Sequence, residues 1–140
     1  MKRATFSLEE YQFEEFRIKT INKPEGEISI KIDPSGIFNA SDNSYTLNLS
    51  FQAFDEKIKE KEFVGCKLKS RFIFSNDIES IDDIPSYFYA NSIAIVFPYL
   101  RSFISSLTIQ ANIRPVILPT MNLGSLSEPL KANTEVLAVD

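Results

Sequence analysis

An α+β chain is predicted, with its strands first and one long helix after them. Three observations carry that prediction. Tyr45, Leu47, Leu49, Phe51 and Ala53 alternate strictly with Thr46, Asn48, Ser50 and Gln52, the period-two signature of a half-buried antiparallel strand. Between Ser86 and Ala111, the residues Ile93, Phe97, Leu100, Ile104, Leu107 and Ala111 recur at steps of three and four, which is the period of a helix face. Pro98 sits inside that helical pattern, while Pro115 and Pro119 forbid regular helix beyond it, so Val116-Ile117-Leu118 is expected to be extended.

The strands come in four runs. In the first, Tyr11 and Phe13 share one parity and Phe16 and Ile18 the other, as a bulge at Glu14-Glu15 would produce. In the second, Ile28, Ile30 and Ile32 alternate with charged and polar residues. Asp33-Pro34-Ser35-Gly36 then reads as a turn or kink, with Ile37 and Phe38 beyond it. A loop at 39–44 leads into the alternating run at 45–53, and the charged stretch Asp55 to Glu62 reads as a solvated hairpin tip. The fourth run, Phe63 to Phe74, puts Cys66, Leu68, Phe72 and Phe74 on one face and Lys67, Lys69 and Arg71 on the other, with Phe63 and Ile73 also on the basic side.

An acidic linker, 76–83, follows, in which Asp82 or Asp83 could cap a helix with Pro85 in its first turn. Val96, Tyr99 and Phe103 widen the apolar stripe of that helix beyond what one sheet face needs, and Ser102, Ser105 and Ser106 are small enough to let another helix come close. For the tail from Leu123, a short strand, a frayed end and a covering flap all stay open. The whole is read as one domain, 1–140: strands over 8–75, a long helix over 84–112, a Pro-rich extended segment over 113–123 and a tail over 124–140.

Composition narrows the chemistry. With no His and one Cys, the usual zinc ligand sets and His-dependent nucleophilic arrangements are excluded, and the 4 Gly form no phosphate loop. No catalytic residue, metal or cofactor is expected, and the chain is read as a non-enzyme. A helix-on-sheet enzyme of the hotdog type would need an acidic or amide group near the helix start, which only Asp82, Asp83 or Asn91 could supply. The net charge of −4 argues against a nucleic-acid partner. The Lys2-Arg3 pair precedes four glutamates and no apolar stretch of signal length, and no uninterrupted apolar run reaches membrane-spanning length. A cytoplasmic location without membrane insertion is expected. The 12 Phe and 5 Tyr supply buried area without many polar groups, and either all of them fill the core or some line a groove.

The order of elements, with Val96-Phe97-Pro98-Tyr99-Leu100-Arg101 on the helix and Arg114-Pro115-Val116-Ile117-Leu118-Pro119-Thr120-Met121-Asn122 after it, resembles the SecB family of export chaperones. The resemblance implies a four-stranded antiparallel sheet with one long helix packed on it, and a homotetramer built as a dimer of dimers with the long helices between two sheets. It further implies an ATP-independent holdase that binds unfolded polypeptide in apolar grooves and hands export-competent preproteins to the translocase motor. A SecB-like chaperone dedicated to one partner, such as an antitoxin, is the alternative.

Carried over by position, the client groove would draw on Phe72, Phe74, Val116 and Leu118, with Tyr87, Phe88 and Tyr89 able either to join it or to fill the core. Phe97, Tyr99, Arg101, Ser102, Ser105 and Ser106 would form the oligomer interface. The chain departs from the family after Asn122, where Leu123-Gly124 and a Pro-interrupted tail leave the second helix and lid open. It also lacks the Cys- and His-bearing zinc tail of some members, and its last strand carries a basic face.

Overall fold

The computed structural model describes residues 5–137. The alternating run is the middle of β3 (Ser44–Asp55), whose odd-numbered residues from Tyr45 to Ala53 are buried. It pairs on one side with β4 (Ile58–Phe74) and on the other with β2 (Ile28–Asn39), both antiparallel. The first strand, β1 (Phe6–Ile18), lies against β4 as one edge of the sheet. On β4, Leu68, Phe72 and Phe74 face the core and Lys67 and Lys69 face solvent, as the sequence parity requires.

The sheet differs from the expected four antiparallel strands. It has five strands in the order β1-β4-β3-β2-β5, and β5 (Thr134–Val136) runs parallel to β2. The fifth strand comes from the tail. A short helix α2 (Ser127–Ala132), anchored by fully buried Leu130, turns the chain so that it can lie along β2 at Gly36–Phe38. The Gly36 amide donates to the Asn133 carbonyl at 3.1 Å, and the Leu137 amide to the Phe38 carbonyl at 2.9 Å.

The expected turn at Asp33–Gly36 is also corrected: these residues continue β2 without a register shift. The Gly36 amide points away from β3, and Pro34, two residues earlier, shares that direction. Its missing N–H therefore falls on the open flank of β2, where proline removes no ladder bond. Gly36 is required by a neighbour, since a Cβ there would come within 2.0 Å of the Tyr45 hydroxyl oxygen. The expected hairpin tip shrinks as well. Only Glu56 and Lys57 lie between the two strands, and Glu62 is buried within β4.

Helix α1 (Tyr87–Gln110) covers one face of the sheet and runs through Pro98. Pro98 and Ala94 are both exposed, so the Ala94 carbonyl that loses its usual partner lies on the solvent side. By length and composition α1 could cross a membrane. Here Phe88, Ile93, Leu100 and Ile104 bury it in the core cluster shared with the strands. The expected acidic cap acts one element earlier: Asp83 accepts from the Ser80 amide in a capping box on the single turn Ile81–Asp83, and α1 has no side-chain cap. At its far end Asn112 adopts φ 60, the left-handed conformation that ends helices.

Candidate functional site

Residues expected to line a client groove lie mostly inside the protomer. Phe72, Phe74, Phe88, Tyr89, Val116 and Leu118 are all buried. Phe88 is the cause for the aromatic group: its ring stands within 4.8–5.8 Å of Phe6, Tyr45, Phe72, Phe74 and Tyr89 and seals that end of the sheet. Tyr87 is exposed, with its hydroxyl 2.9 Å from the Thr5 hydroxyl. The structure thus gathers Phe72, Phe74, Phe88 and Tyr89 into one buried cluster and leaves Tyr87 outside it.

Val116 and Leu118 belong to a different feature. Residues 114–122 form neither helix nor strand. They run antiparallel to α1, because the Val116 amide donates to the Thr108 hydroxyl at 2.9 Å and Arg101 donates to the Pro119 carbonyl at 3.2 Å. Arg114 donates to the Gly26 carbonyl just before β2, so the segment lies on the β2 flank of α1. Val116 and Leu118 are 1% and 2% exposed, and Ile117 between them is 71% exposed. The segment is inserted through alternate side chains. Thr108, buried on α1, relays the contact by donating to the Ile104 carbonyl while accepting from Val116.

The other flank of α1 lies over β1. Tyr99 stacks on Tyr11 at 4.3 Å, Phe103 stacks on Phe13 at 3.9 Å, and Phe16 meets Phe103 edge-on at 5.2 Å. Tyr11, Phe16 and Tyr99 are 43%, 52% and 40% exposed, forming an aromatic ledge beside the open edge of the sheet. Two register shifts in β1, between Leu8 and Glu10 and between Phe13 and Glu15, keep Phe6, Leu8, Tyr11, Phe13, Phe16 and Ile18 opposite the core-facing residues of β4. The parity switch at Glu14-Glu15 predicts the second shift. The first had the same signal, since Leu8 and Tyr11 also differ in parity, and was missed.

Of the residues expected at an interface, Tyr99, Ser102 and Ser106 are exposed, and Arg101 and Ser105 are half-buried. Phe97 is buried in the protomer under the Arg101 guanidinium, 5.1 Å from its ring centroid. The outward face of α1, Asn91, Ala94, Ile95, Pro98, Tyr99, Ser102, Ser106 and Ile109, carries no charge.

The opposite face of the sheet is polar and internally compensated. Lys67 and Lys69 lie 3.7 Å from Glu15 and Glu14, and Arg71 bridges Glu9 and Asp42. At its lower end Arg17 clasps the buried Glu62 carboxylate at 2.5 and 2.6 Å. Burial alone would raise the Glu62 carboxyl, but hydrogen bonds from Arg17 and Gln52 outweigh it and hold the group below the usual carboxylate range. Burial pushes the Cys66 thiol up to about 12, and it pushes the Tyr45 phenol upward too, partly offset by its 2.6 Å bond to Thr134. Among the described residues no cluster of His, Cys, Asp or Glu has the arrangement of a metal site.

No family model matches the chain. Among solved structures it is similar to the Mycobacterium tuberculosis Rv1957 SecB-like chaperone, solved in complex with a ChAD peptide from the Rv1956 HigA1 antitoxin. The TM-score is 0.68 at 10% identity, over 84% of this chain and 88% of that one. The two share a fold. A weaker likeness, with a TM-score of 0.44 and 12% identity over 82% and 97% of the two chains, is to a protein of unknown function from Streptococcus agalactiae. In sequence it is 32% identical over 113 residues to the uncharacterized protein MJ0357 of Methanocaldococcus jannaschii, covering 77% of this chain and 73% of that protein. With a SecB-like fold and that degree of identity, the chain belongs to the family of MJ0357.

Proposed function

We propose that this protein is an ATP-independent, polypeptide-binding chaperone of the SecB type, dedicated to a single partner such as an antitoxin. The observation that carries the reading is the shared fold with a chaperone solved with an antitoxin peptide. Within the chain, support comes from the flank of α1, against which the extended segment 114–122 packs through alternate side chains. Extended peptides are recognised in the same way, with main-chain hydrogen bonds giving affinity and alternate side-chain pockets giving specificity. In this reading the protein works in the cytoplasm as a homotetramer. The uncharged outer face of α1 at Tyr99, Ser102 and Ser106, the half-buried Arg101 and Ser105 beside it, and the ledge at Tyr11 and Phe16 would form the contacts between copies.

The second reading is a general holdase that keeps preproteins export-competent and delivers them to the translocase motor. Its support is the exposed aromatic ledge, which offers contact area without sequence preference. One experiment separates the two. Aggregation of several unrelated unfolded proteins is followed at near-stoichiometric ratios without nucleotide, alongside a peptide array tiling the proteome of the source organism. A dedicated chaperone leaves most of the unfolded proteins unprotected and retains peptides from one array protein. Protection across the panel favours the general holdase. No protection and no retained peptide would refute both.

A further inference from the structure

At the end of the sheet where β1 leads into β2 and β3 into β4, Ile21 is 93% exposed, more than any other large apolar side chain described. It does not sit on a slack loop. The single turn that carries it, Thr20–Asn22, is tied to β4 on both sides: the Lys19 amide donates to the Phe63 carbonyl at 2.8 Å, and the Asn22 side-chain amide to the Glu62 carbonyl at 2.8 Å. Beyond the turn, buried Asp55 accepts from the Glu25 and Lys57 amides at 3.1 and 2.8 Å, which binds the β1–β2 loop to the β3–β4 turn. An isoleucine held out in water on a fixed support adds nothing to the burial that stabilises its own protomer.

The surroundings of Ile21 have a shape and a charge to match. It stands on the wall between two clefts, one of about 720 Å³ that also contains the half-exposed Ile58, the other of about 680 Å³ beside Ile113 and Arg114. Around the first cleft lie Lys23, Lys57 and Lys61 with Glu25, Glu27 and Glu56, all exposed. Among the described residues none of these six charges has an ion-pair partner. On the outer face of the sheet, by contrast, Lys67, Lys69 and Arg71 are each matched by a carboxylate.

We propose that this end of the sheet is a contact between two copies of the chain, in which Ile21 of each copy enters the Ile58 cleft of the other about a two-fold axis. A ridge standing beside a cleft is the shape that fits a rotated copy of itself, as an isologous contact requires. The rim carries lysines and glutamates in equal number, so a second copy can set one sign against the other. Other occupants match it less well. An anionic membrane would meet three glutamates, and a strongly acidic or basic partner would press like charges together on half of the rim. Ile21 is the anchor of the contact and the rim sets its register. The contact is separate from the outer face of α1 and does not depend on the chaperone reading.

The test follows the mass of the full chain by light scattering and sedimentation velocity over a range of concentrations. It uses two backgrounds, the wild type and Tyr99→Glu, which puts a charge on the outer face of α1. In Tyr99→Glu the ends should still hold a dimer. Ile21→Asp should lower the mass in both backgrounds, weakening the contact about thirtyfold, as loss of an interface anchor does. Circular dichroism should be unchanged, since the side chain touches little of its own protomer. Two further variants of Tyr99→Glu test the rim: one carries Lys23→Glu, Lys57→Glu and Lys61→Glu, the other Glu25→Lys, Glu27→Lys and Glu56→Lys. Each alone should be monomeric, and an equal mixture should form the heterodimer. A mass that Ile21→Asp leaves unchanged in either background would overturn the proposal, and so would a mixture that stays monomeric. Binding of the wild type to phosphatidylserine vesicles through Ile21, with no self-association at this end, would overturn it in favour of a membrane.

Discussion

Replacing Gly36 by alanine tests how the fifth strand is held. A Cβ at position 36 would lie 2.0 Å from the Tyr45 hydroxyl oxygen, 2.4 Å from Cζ and 2.7 Å from Cε1. The Tyr45 ring is fully buried, packs against Phe88 at 4.8 Å, and ends in a 2.6 Å hydrogen bond to Thr134 on β5. It cannot swing aside without breaking that bond and disturbing the aromatic cluster. Overpacking a core site costs about 1–3 kcal/mol. Leaving a buried phenol without its partner adds about 1–3 kcal/mol. The sum, about 2–6 kcal/mol, should lower the melting temperature on the order of 10 °C. Urea unfolding gives the free energy, and hydrogen exchange gives the location. The amides of Gly36 and Leu137, which tie β2 to the tail, should lose protection before those of β3. Gly26→Ala is the matched control. Nothing lies within 4 Å of a Cβ there and no glycine has positive φ, so the change should be neutral or stabilising by up to about 1 kcal/mol. A Gly36→Ala protein within about 0.5 kcal/mol of the wild type, the range of ordinary surface substitutions, would show that Tyr45 does not lie across Gly36 and that the tail is held by something else.

Three other outcomes follow from the same geometry. The Glu62 carboxyl is held below its ordinary value of 4.5, so its stabilisation is fully present above that pH and is lost as pH falls through the lowered value. Arg17→Met should flatten this acid limb in urea titrations between pH 5 and 3, and an unchanged limb would remove Arg17 as the cause. The Cys66 thiol, buried and pushed up to about 12, should resist iodoacetamide at pH 8 in the native protein and react only on unfolding, as read by mass spectrometry. Tyr99→Glu places a charge on the uncharged outer face of α1 and should shift the light-scattering mass toward the monomer without changing helix content; an unchanged mass would exclude this face as the contact between copies.

Much of the architecture was legible because periodicity survives folding. β3 and β4 show their buried faces directly, α1 falls inside the expected 84–112, and the change of parity at Glu14 marks a bulge. Where local chemistry was allowed to override periodicity, the reading failed. Pro34 and Gly36 look like a turn, yet Ile28, Ile30, Ile32, Pro34, Gly36 and Phe38 keep one parity throughout. Only the neighbours explain the two residues: an open flank for the proline and a tyrosine ring over the glycine. β5 carried almost no signal, being three residues long and defined by its partner. The site was harder for a related reason. An aromatic residue reads the same whether its cover is another part of the chain or a visiting peptide. At Phe72 and Phe74 the cover is Phe88, and beside Val116 it is α1.

The paired irregularities in β1 have a consequence for how copies of this protein can meet. An unbroken rim of thirteen residues would invite indefinite stacking, strand upon strand, into fibres. Glu9 and Glu14 each interpose an extra residue and an anionic group, dividing that rim into short lengths that no regular invader can follow from end to end. A second copy meeting this rim can pair with it only over those short lengths. What looks like a flaw in the ladder is a limit on its growth.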